Sequence, residues 1–345
     1  MANQFTSEWT QDIVQRMMEL AKEHPLPKVT EMLNEEFNTD FSYHAVRTKY
    51  TRSKKNKINY HNRKNTEDNA EKYINLVIQS QKELEKFDDY QTTIDISLDE
   101  DKPIGIVGTG DWHTGGLRTN HEQLIKDSEI INGTDGLYSI LMGDYADNYL
   151  QSGHKGAIYG QISNPDKQKE MVEHIFLKYY KENALALIKG NHDAFTEKST
   201  GEDYLKVIAR KMETPYLWFG GNININLGGI EYKIHARHNY RYNSSINTTN
   251  SQRNLFNSTN ADIIMLAHLH FNEIHSKSAA GKDTHWVRTG SYKITDEYGE
   301  YLGFGKADTR MPLLILFPKT KKIVPYRDMY DGIDYLKWLR ERVTV

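Results

Sequence analysis

Apolar positions recur along this chain in two rhythms, and the rhythm changes near residue 91. Before that point the spacing is three and four, the period of a helix face. Trp9, Ile13, Met17 and Leu20 follow Ser7, a residue type that caps helices, and predict a first helix broken by Pro25 and Pro27. Val29, Met32, Leu33 and Phe37 predict a second, closed by an Asn38-Thr39-Asp40 turn. Ser42 is expected to cap a third, with Ala45, Val46 and Tyr50 inward. A polar helix is then expected over residues 66–90. Tyr73, Leu76, Val77, Ser80, Leu84 and Phe87 line one side of it. Its first reading is a core or linker stripe, and its second a homodimer seam.

From residue 92 the apolar runs are short, and most end in glycine or a polar turn. Residues 92–98 and 103–107 predict strands, the second ending in Gly108-Thr109-Gly110-Asp111-Trp112-His113. Residues 137–142 run into Gly143-Asp144, with Asp147 three further on. Residues 184–188 run into Lys189-Gly190-Asn191-His192-Asp193. Residues 222–225 and 230–236 read as a hairpin that leads into His235-Ala236-Arg237-His238. Residues 261–266 end in Ala267-His268-Leu269-His270. Further strands are expected at 286–292 and 313–317, and helices near 166–182, 202–212 and from 330 to the end. Strands alternating with helices predict an α/β body.

Composition narrows the chemistry. The chain has 345 residues, room for more than one domain, and no cysteine. Disulfides, thiolate metal sites and a cysteine nucleophile are excluded. Any metal ligands must come from Asp, Glu, Asn and the 14 histidines. The first ten residues lack a secretory core, and the apolar run 312–318 is too short for a bilayer, so a cytoplasmic protein with no membrane partner is expected. Net charge is -3, but residues 41–65 hold eight basic residues and no acid, so the remainder is more acidic than the total suggests. Three helices with Arg47, Lys49, Arg52, Lys54 and Lys55 on or just after the third resemble a helix-turn-helix domain. Phosphate neutralisation by such a helix predicts nucleic acid, DNA first, as partner. The expected organisation is a basic trihelical domain over 1–65, a linker helix over 66–90 and a catalytic body over 91–345.

Within the body, each chemistry-bearing motif follows an expected strand. Asp111 and His113 are two apart, which in extended chain puts both on one side. His268 and His270 repeat that spacing. Asn191 offers a neutral oxygen, and His192 can move a proton near neutral pH. His235 and His238 cannot share a face of a regular strand, and His238, nearer its end, is the preferred ligand. The ordered series Asp111-x-His113, Gly143-Asp144-x-x-Asp147, Gly190-Asn191-His192-Asp193, a histidine at 235 or 238, and His268-x-His270 resembles the calcineurin-like metallophosphoesterase superfamily. The resemblance covers roughly residues 104–295. It departs at Ala267, where the family usually has glycine.

The resemblance implies an αββα sandwich of two mixed sheets flanked by helices, here preceded by the small all-α domain. It also implies two divalent metals. Asp111, His113 and His270 would hold the first, Asp144 would bridge, and Asn191, His268 and His238 or His235 would hold the second. His192 would be the proton donor, and Asp147 would support the ligands from behind; both join Asp111 as catalytic candidates. Oxygen and imidazole ligands suit Mn first, with Fe or Zn as alternatives. Two such ions clamp a phosphoryl group and lower the pKa of a bridging water, giving a hydroxide nucleophile. With the basic domain, this predicts a nucleic-acid phosphodiesterase, a nuclease. The alternatives are a phosphomonoesterase (a protein phosphatase or nucleotidase) and a non-catalytic DNA-binding regulator on the same fold.

Overall fold

A computed structural model of the chain describes residues 8–55, 66–86, 91–150, 156–244, 247–279, 282–295, 300–301, 303 and 305–342. The chain divides into two units, Met1–Asp88 and Asp89–Val345. In the first, α1 (Gln11–Leu20), α2 (Leu26–Phe37) and α3 (Tyr43–Lys55) close around Ile13, Met17, Leu20, Val29, Leu33, Phe41 and Val46. Ser7, the expected first cap, lies outside the described residues. Thr10 takes that role, its Oγ1 accepting from the Ile13 N–H at 3.3 Å. The helix starts late because Trp9 is spent elsewhere: its ring stacks on Phe41 with centroids 4.1 Å apart. Asn38, left-handed at φ 49°, ends α2, and the Asn34 amide ties the following turn to both the N–H and the C=O of Phe41.

Helix α4 (Thr66–Glu85) corrects the first reading of its stripe. Tyr73, Leu76, Val77 and Leu84 are all exposed, so they form no core among the described residues. Phe87, the last residue of that stripe, lies outside the described residues.

The second unit holds eleven strands among its described residues, in two mixed sheets. One sheet has the order β1-β5-β6-β7-β9-β8, from β1 (Thr93–Leu98), β5 (Gly220–Leu227), β6 (Ile230–Arg237), β7 (Ile263–Leu266), β8 (Glu273–Ala279) and β9 (Lys282–Arg288). The other has the order β11-β10-β2-β3-β4, from β2 (Ile104–Thr109), β3 (Leu137–Leu141), β4 (Ala184–Leu187), β10 (Leu313–Leu316) and β11 (Ile323–Tyr326). Pairs β2–β3, β3–β4, β6–β7 and β7–β9 are parallel, so the ligand-bearing ends of these strands share a direction within each sheet.

The period-two alternation decides which core each residue enters. Ile104, Ile106, Leu314 and Leu316 face Ile223, Ile225, Ile234, Ile263 and Met265 between the sheets. Val107, Leu313 and Ile315 point the other way, to a second core beneath α5 (His121–Gly133), α6 (Pro165–Ile175), α8 (Tyr204–Met212) and α10 (Met329–Arg342). Ile264 and Leu266 point outward from the first sheet to Leu255 of α9 (Asn250–Thr259). The helical layer on that sheet is thin, and its β1–β5 end instead carries polar cross-strand pairs such as Asn224–Asp95, at 2.8 Å.

Helix α5 has no strong apolar stripe in the sequence, because half of its buried face is polar. Asp127 accepts from the hydroxyls of Tyr292 and Tyr330, both at 2.8 Å, and Ser128 Oγ lies 3.0 Å from Tyr180 Oη. The expected helix over 166–182 changes type partway. After α6 the chain makes a π-helical turn, Phe176–Tyr180, which turns Phe176, Tyr179 and Tyr180 into the core.

Ile106→Ala is expected to cost about 2–5 kcal/mol, the range for deleting a large aliphatic side chain from a close-packed core. A urea titration would show this as a lower midpoint with an unchanged slope. A loss under about 1 kcal/mol would mean that the two sheets are not packed as tightly as described.

Candidate metal centre

Trp112 explains how the first motif is aimed. Its side chain is fully buried against Tyr145, Phe176 and Tyr180, and its Nε1–H donates to Thr109 Oγ1 at 2.8 Å. With the middle residue pinned inward, Asp111 and His113 emerge together on the other side. The backbone is not extended, as the spacing of two assumes. Asp111 and His113 have φ of 49° and 48°, and His268 and His270 have 74° and 56°. Asp144 is left-handed too, at 55°. Five candidate ligands therefore sit in a backbone region that L-residues rarely adopt, each costing on the order of 1–3 kcal/mol.

Two groups of side chains result. Ligand atoms of Asp111, His113 and His270 lie within 4.8 Å of one another, as do those of Asp144, His238 and His268. Asp144 Oδ2 adjoins both groups, 3.2 Å from His238 Nε2 and 3.9 Å from His113 Nε2. Asn191 Oδ1 lies 3.1 Å from His238 Nε2. A third group, His113, Asp147 and His192, shares one member with the first.

Hydrogen bonds fix which ring nitrogens face inward. His113 Nδ1 is 3.1 Å from Asp147 Oδ1 and donates to it, leaving a bare Nε2 lone pair. His238 Nδ1 donates to the Met142 carbonyl at 2.8 Å, again presenting Nε2. His192 Nδ1 donates to the Asp147 carbonyl at 2.6 Å, so Nε2 is the nitrogen left for proton transfer. The residues fit a cation. His113 Nε2 and His270 Nε2 face each other at 3.1 Å, and with His270 Nε2 3.5 Å from Asp111 Oδ1 the three ligand atoms converge on one point. Asp111 Oδ1 is buried without a hydrogen-bond partner beside them.

The protonation states agree with this geometry. Burial, then the charges of His192 and Lys293, push His113 down to about 3, so it stays neutral and able to ligate. Burial, then His238, pushes His268 down to about 4. Burial opposes charge on Asp111 and Asp144, but the pull of His270 on one and of His238 on the other holds both carboxyls below the usual range. His238 is the exception: burial works against its charge, yet Asp144 prevails and lifts it to about 9, so its Nε2 must give up a proton before it ligates an ion.

His235 is corrected. Ile234 and Ala236 face the inter-sheet core, so His235 points to the outer face of its sheet, with Nδ1 2.7 Å from Asn222 Oδ1. It joins no metal-binding group among the described residues, and His238 takes the place left open in the fourth motif. Arg288, at the end of β9, and Tyr292, just beyond it, are engaged in structural bonds. Arg288 donates to the Ala267 carbonyl, and the Tyr292 hydroxyl donates to Asp127.

Several residues that matter have roles that the sequence pattern does not reveal. Asp193, the last residue of the Gly190-Asn191-His192-Asp193 motif, is the knot of the site. Its carboxylate accepts from the N–H groups of Asp144, Tyr145 and Gly190 at 2.7, 3.1 and 2.9 Å, and from the Tyr204 hydroxyl at 2.5 Å. Burial and the nearby Asp144 raise its pKa to about 6. Lys189 is fully buried, paired with Glu197 and with Asp203, the latter at 2.9 Å, and surrounded by Tyr216, Trp218 and Phe219. Lys293 is buried with Nζ 2.8 Å from Asp147 Oδ1. Burial opposes charge on Asp147, but the bond to His113, and after it the charge of Lys293, bring it down to about 2.

The basic residues predicted for nucleic acid lie in the other unit. Arg47, Arg52 and Lys54 of α3 are exposed. Lys49 is half-buried, with Nζ 5.6 Å from the Trp9 ring centroid, and Lys55 ends the helix.

No protein-family model and no curated protein matches the chain. Among solved structures, Vacuolar Protein Sorting 29 from Cryptosporidium parvum aligns at 14% identity and TM-score 0.36, over 66% of this chain and 98% of its own. A protein from Streptococcus pneumoniae described as a predicted phosphoesterase aligns at 12% and 0.33, over 65% and 98%. A Vps29 from Entamoeba histolytica complexed with zinc aligns at 12% and 0.33, over 65% and 97%. These are similarities only, and the functional assignment rests on the site's own residues.

Two outcomes follow from the geometry. A Cβ on Gly190 would sit 2.0 Å from Asp144 Oδ1 and 2.3 Å from the Asp144 nitrogen, so Gly190→Ala is expected to cost about 3 kcal/mol or more and to abolish metal binding. A wild-type-like melting curve would contradict the contact. Adding Mn to the wild type should raise Tm by mass action, and Asp144→Asn should remove most of that rise; an equal rise in both would place the metal elsewhere.

Proposed function

We propose that this chain is a dinuclear-metal phosphoesterase acting on nucleic-acid phosphodiesters. The observation that carries the phosphoesterase reading is the pair of ligand groups meeting at Asp144. Asp111, His113 and His270 would hold one divalent ion, and His238, His268 and Asn191 the other, with Mn preferred over Fe or Zn. When bound, such a pair neutralises phosphate oxygens and acidifies water for in-line attack. Asp147 keeps the His113 proton on Nδ1 and so keeps Nε2 available. Lys293 offsets the negative charge of Asp147. His192, with Nδ1 fixed on the Asp147 carbonyl, holds a proton at Nε2 for the departing oxygen.

The preference for nucleic acid is supported by the first unit. Helix α3 carries Arg47, Lys49, Arg52, Lys54 and Lys55 and no acidic residue. A helix of this charge suits phosphate contacts, and tethering raises the local concentration of substrate for the metal site.

Purified full-length protein with Mn should cleave single- or double-stranded DNA, RNA or a cyclic dinucleotide, and His192→Ala should lower kcat by about 10²–10⁴-fold. Turnover of an aryl phosphate monoester alone would replace the nuclease reading with the phosphomonoesterase one. Absence of turnover across Mn, Fe and Zn would leave a non-catalytic DNA-binding role. The double variant Arg47→Ala, Arg52→Ala should weaken DNA binding and flatten its log–log salt dependence by roughly one to two. An unchanged slope would remove α3 from the interface.

A further inference from the structure

A cleft of about 510 Å³ shares Tyr149 with the surroundings of His192. Tyr149, Leu150, Ile158, Ile162 and Pro165 form its apolar walls, and none of its described lining residues carries a charge. Tyr149 belongs to both places. Its ring lies 4.9 Å from the His192 ring, and Lys293 Nζ lies 5.1 Å from its centroid. Phe195 flanks His192 from another side, also at 4.9 Å, and stacks near Tyr149 at 6.1 Å. The imidazole thus sits between two aromatic rings, one of which, Tyr149, is also a wall of the cleft.

The wall is built rather than incidental. Gln161 grips the Tyr149 backbone from both ends, Oε1 accepting from its N–H at 2.9 Å and Nε2 donating to its C=O at 3.1 Å. The fully buried Gln168 donates to Gln161 Oε1 at 2.9 Å and accepts from the Asn148 N–H at 2.6 Å. Asn148 Nδ2 donates in turn to the His192 carbonyl at 2.7 Å. One amide network therefore fixes both the cleft wall and the proton donor, a form of preorganisation that lowers the entropy cost of binding.

On this ground we infer that the cleft holds the leaving-group side of the substrate, and that it selects a neutral planar ring, a nucleobase. The inference rests on the phosphoesterase reading for its geometry. A group that receives its proton from His192 must lie on the open side of that ring, and there it meets Tyr149. The charged phosphate belongs with the ligand cluster, so what reaches the cleft is the uncharged remainder of the ester. Apolar walls with one aromatic face suit a base stacked on Tyr149, and stacking tolerates any base sequence. A sugar or a short alkyl alcohol would leave Ile158, Ile162 and Pro165 without apolar contact.

Two measurements test this on the full chain. The first compares kcat/KM with Mn for a dinucleotide and for the methyl ester of the same mononucleotide, which lacks the leaving nucleoside. The wild type should prefer the dinucleotide by about tenfold or more, and Tyr149→Ala should reduce that ratio toward one. Hydrolysis of both esters at equal rates, or a ratio unmoved by Tyr149→Ala and by Ile158→Asn, would overturn the cleft while leaving the phosphoesterase intact. The second measurement is saturation-transfer NMR of adenosine and thymidine with metal-free protein, which needs no turnover. Signals present in the wild type and lost in Tyr149→Ala support the nucleobase site. Their absence in the wild type overturns it, whatever the hydrolysis assay shows.

Discussion

The site depends on two loops approaching more closely than side chains ordinarily allow. Gly143 and Gly190 meet where a Cβ on Gly143 would lie 2.6 Å from the Gly190 nitrogen. Asp193 bridges the approach, collecting three backbone N–H groups and the Tyr204 hydroxyl. This closeness lets Asp144 Oδ1 accept from the His192 N–H at 2.8 Å, so the metal-bridging candidate and the candidate proton donor are fixed to one another. Placing two carboxylates together in the interior is costly, and the raised pKa of Asp193 records that cost. Cations at the centre would offset it.

The sandwich supplies the rigidity that such an arrangement needs. Left-handed conformations at Asp111, His113, Asp144, His268 and His270 are unfavourable for a free chain. They persist because each follows a strand whose two faces are committed to different cores. The strand ends cannot slip by one residue without exchanging Ile106 for Val107 between those cores. Trp112 and the buried Lys189 cluster act as pegs on the far sides of their loops. Removing one member of such a buried ion pair leaves an uncompensated charge, a loss of about 3–5 kcal/mol.

Protonation follows from the same packing. His113 and His268 are neutral because they are buried near other positive charge, whereas Asp144 holds a proton on His238 that an ion bound there would displace. The imidazoles of one cluster are thus differentiated by a few ångströms of placement. The aromatic rings around His192 extend the pattern outward, from a charged centre to a cleft whose described lining is uncharged.

The sequence by itself determined the order of strands and helices in outline, the five motifs, and the residue types able to hold metals. These are local properties: apolar runs, glycines at strand ends, and imidazoles and carboxylates at fixed spacing. It also determined that basic charge concentrates on one helix of a three-helix unit. Only the tertiary structure separated His238 from His235, because the choice depends on which face of β6 meets the other sheet. Only it showed Asp193 as the link between loops, Lys293 as the partner of Asp147, and the Gln161–Gln168–Asn148 network behind Tyr149. Those roles join residues 7 to 146 positions apart. Helix α5 escaped the pattern for the same reason, since Asp127 and Ser128 are buried by hydroxyl partners far along the chain. Long-range pairing of polar groups leaves no periodic mark in a sequence, whereas burial of apolar ones does.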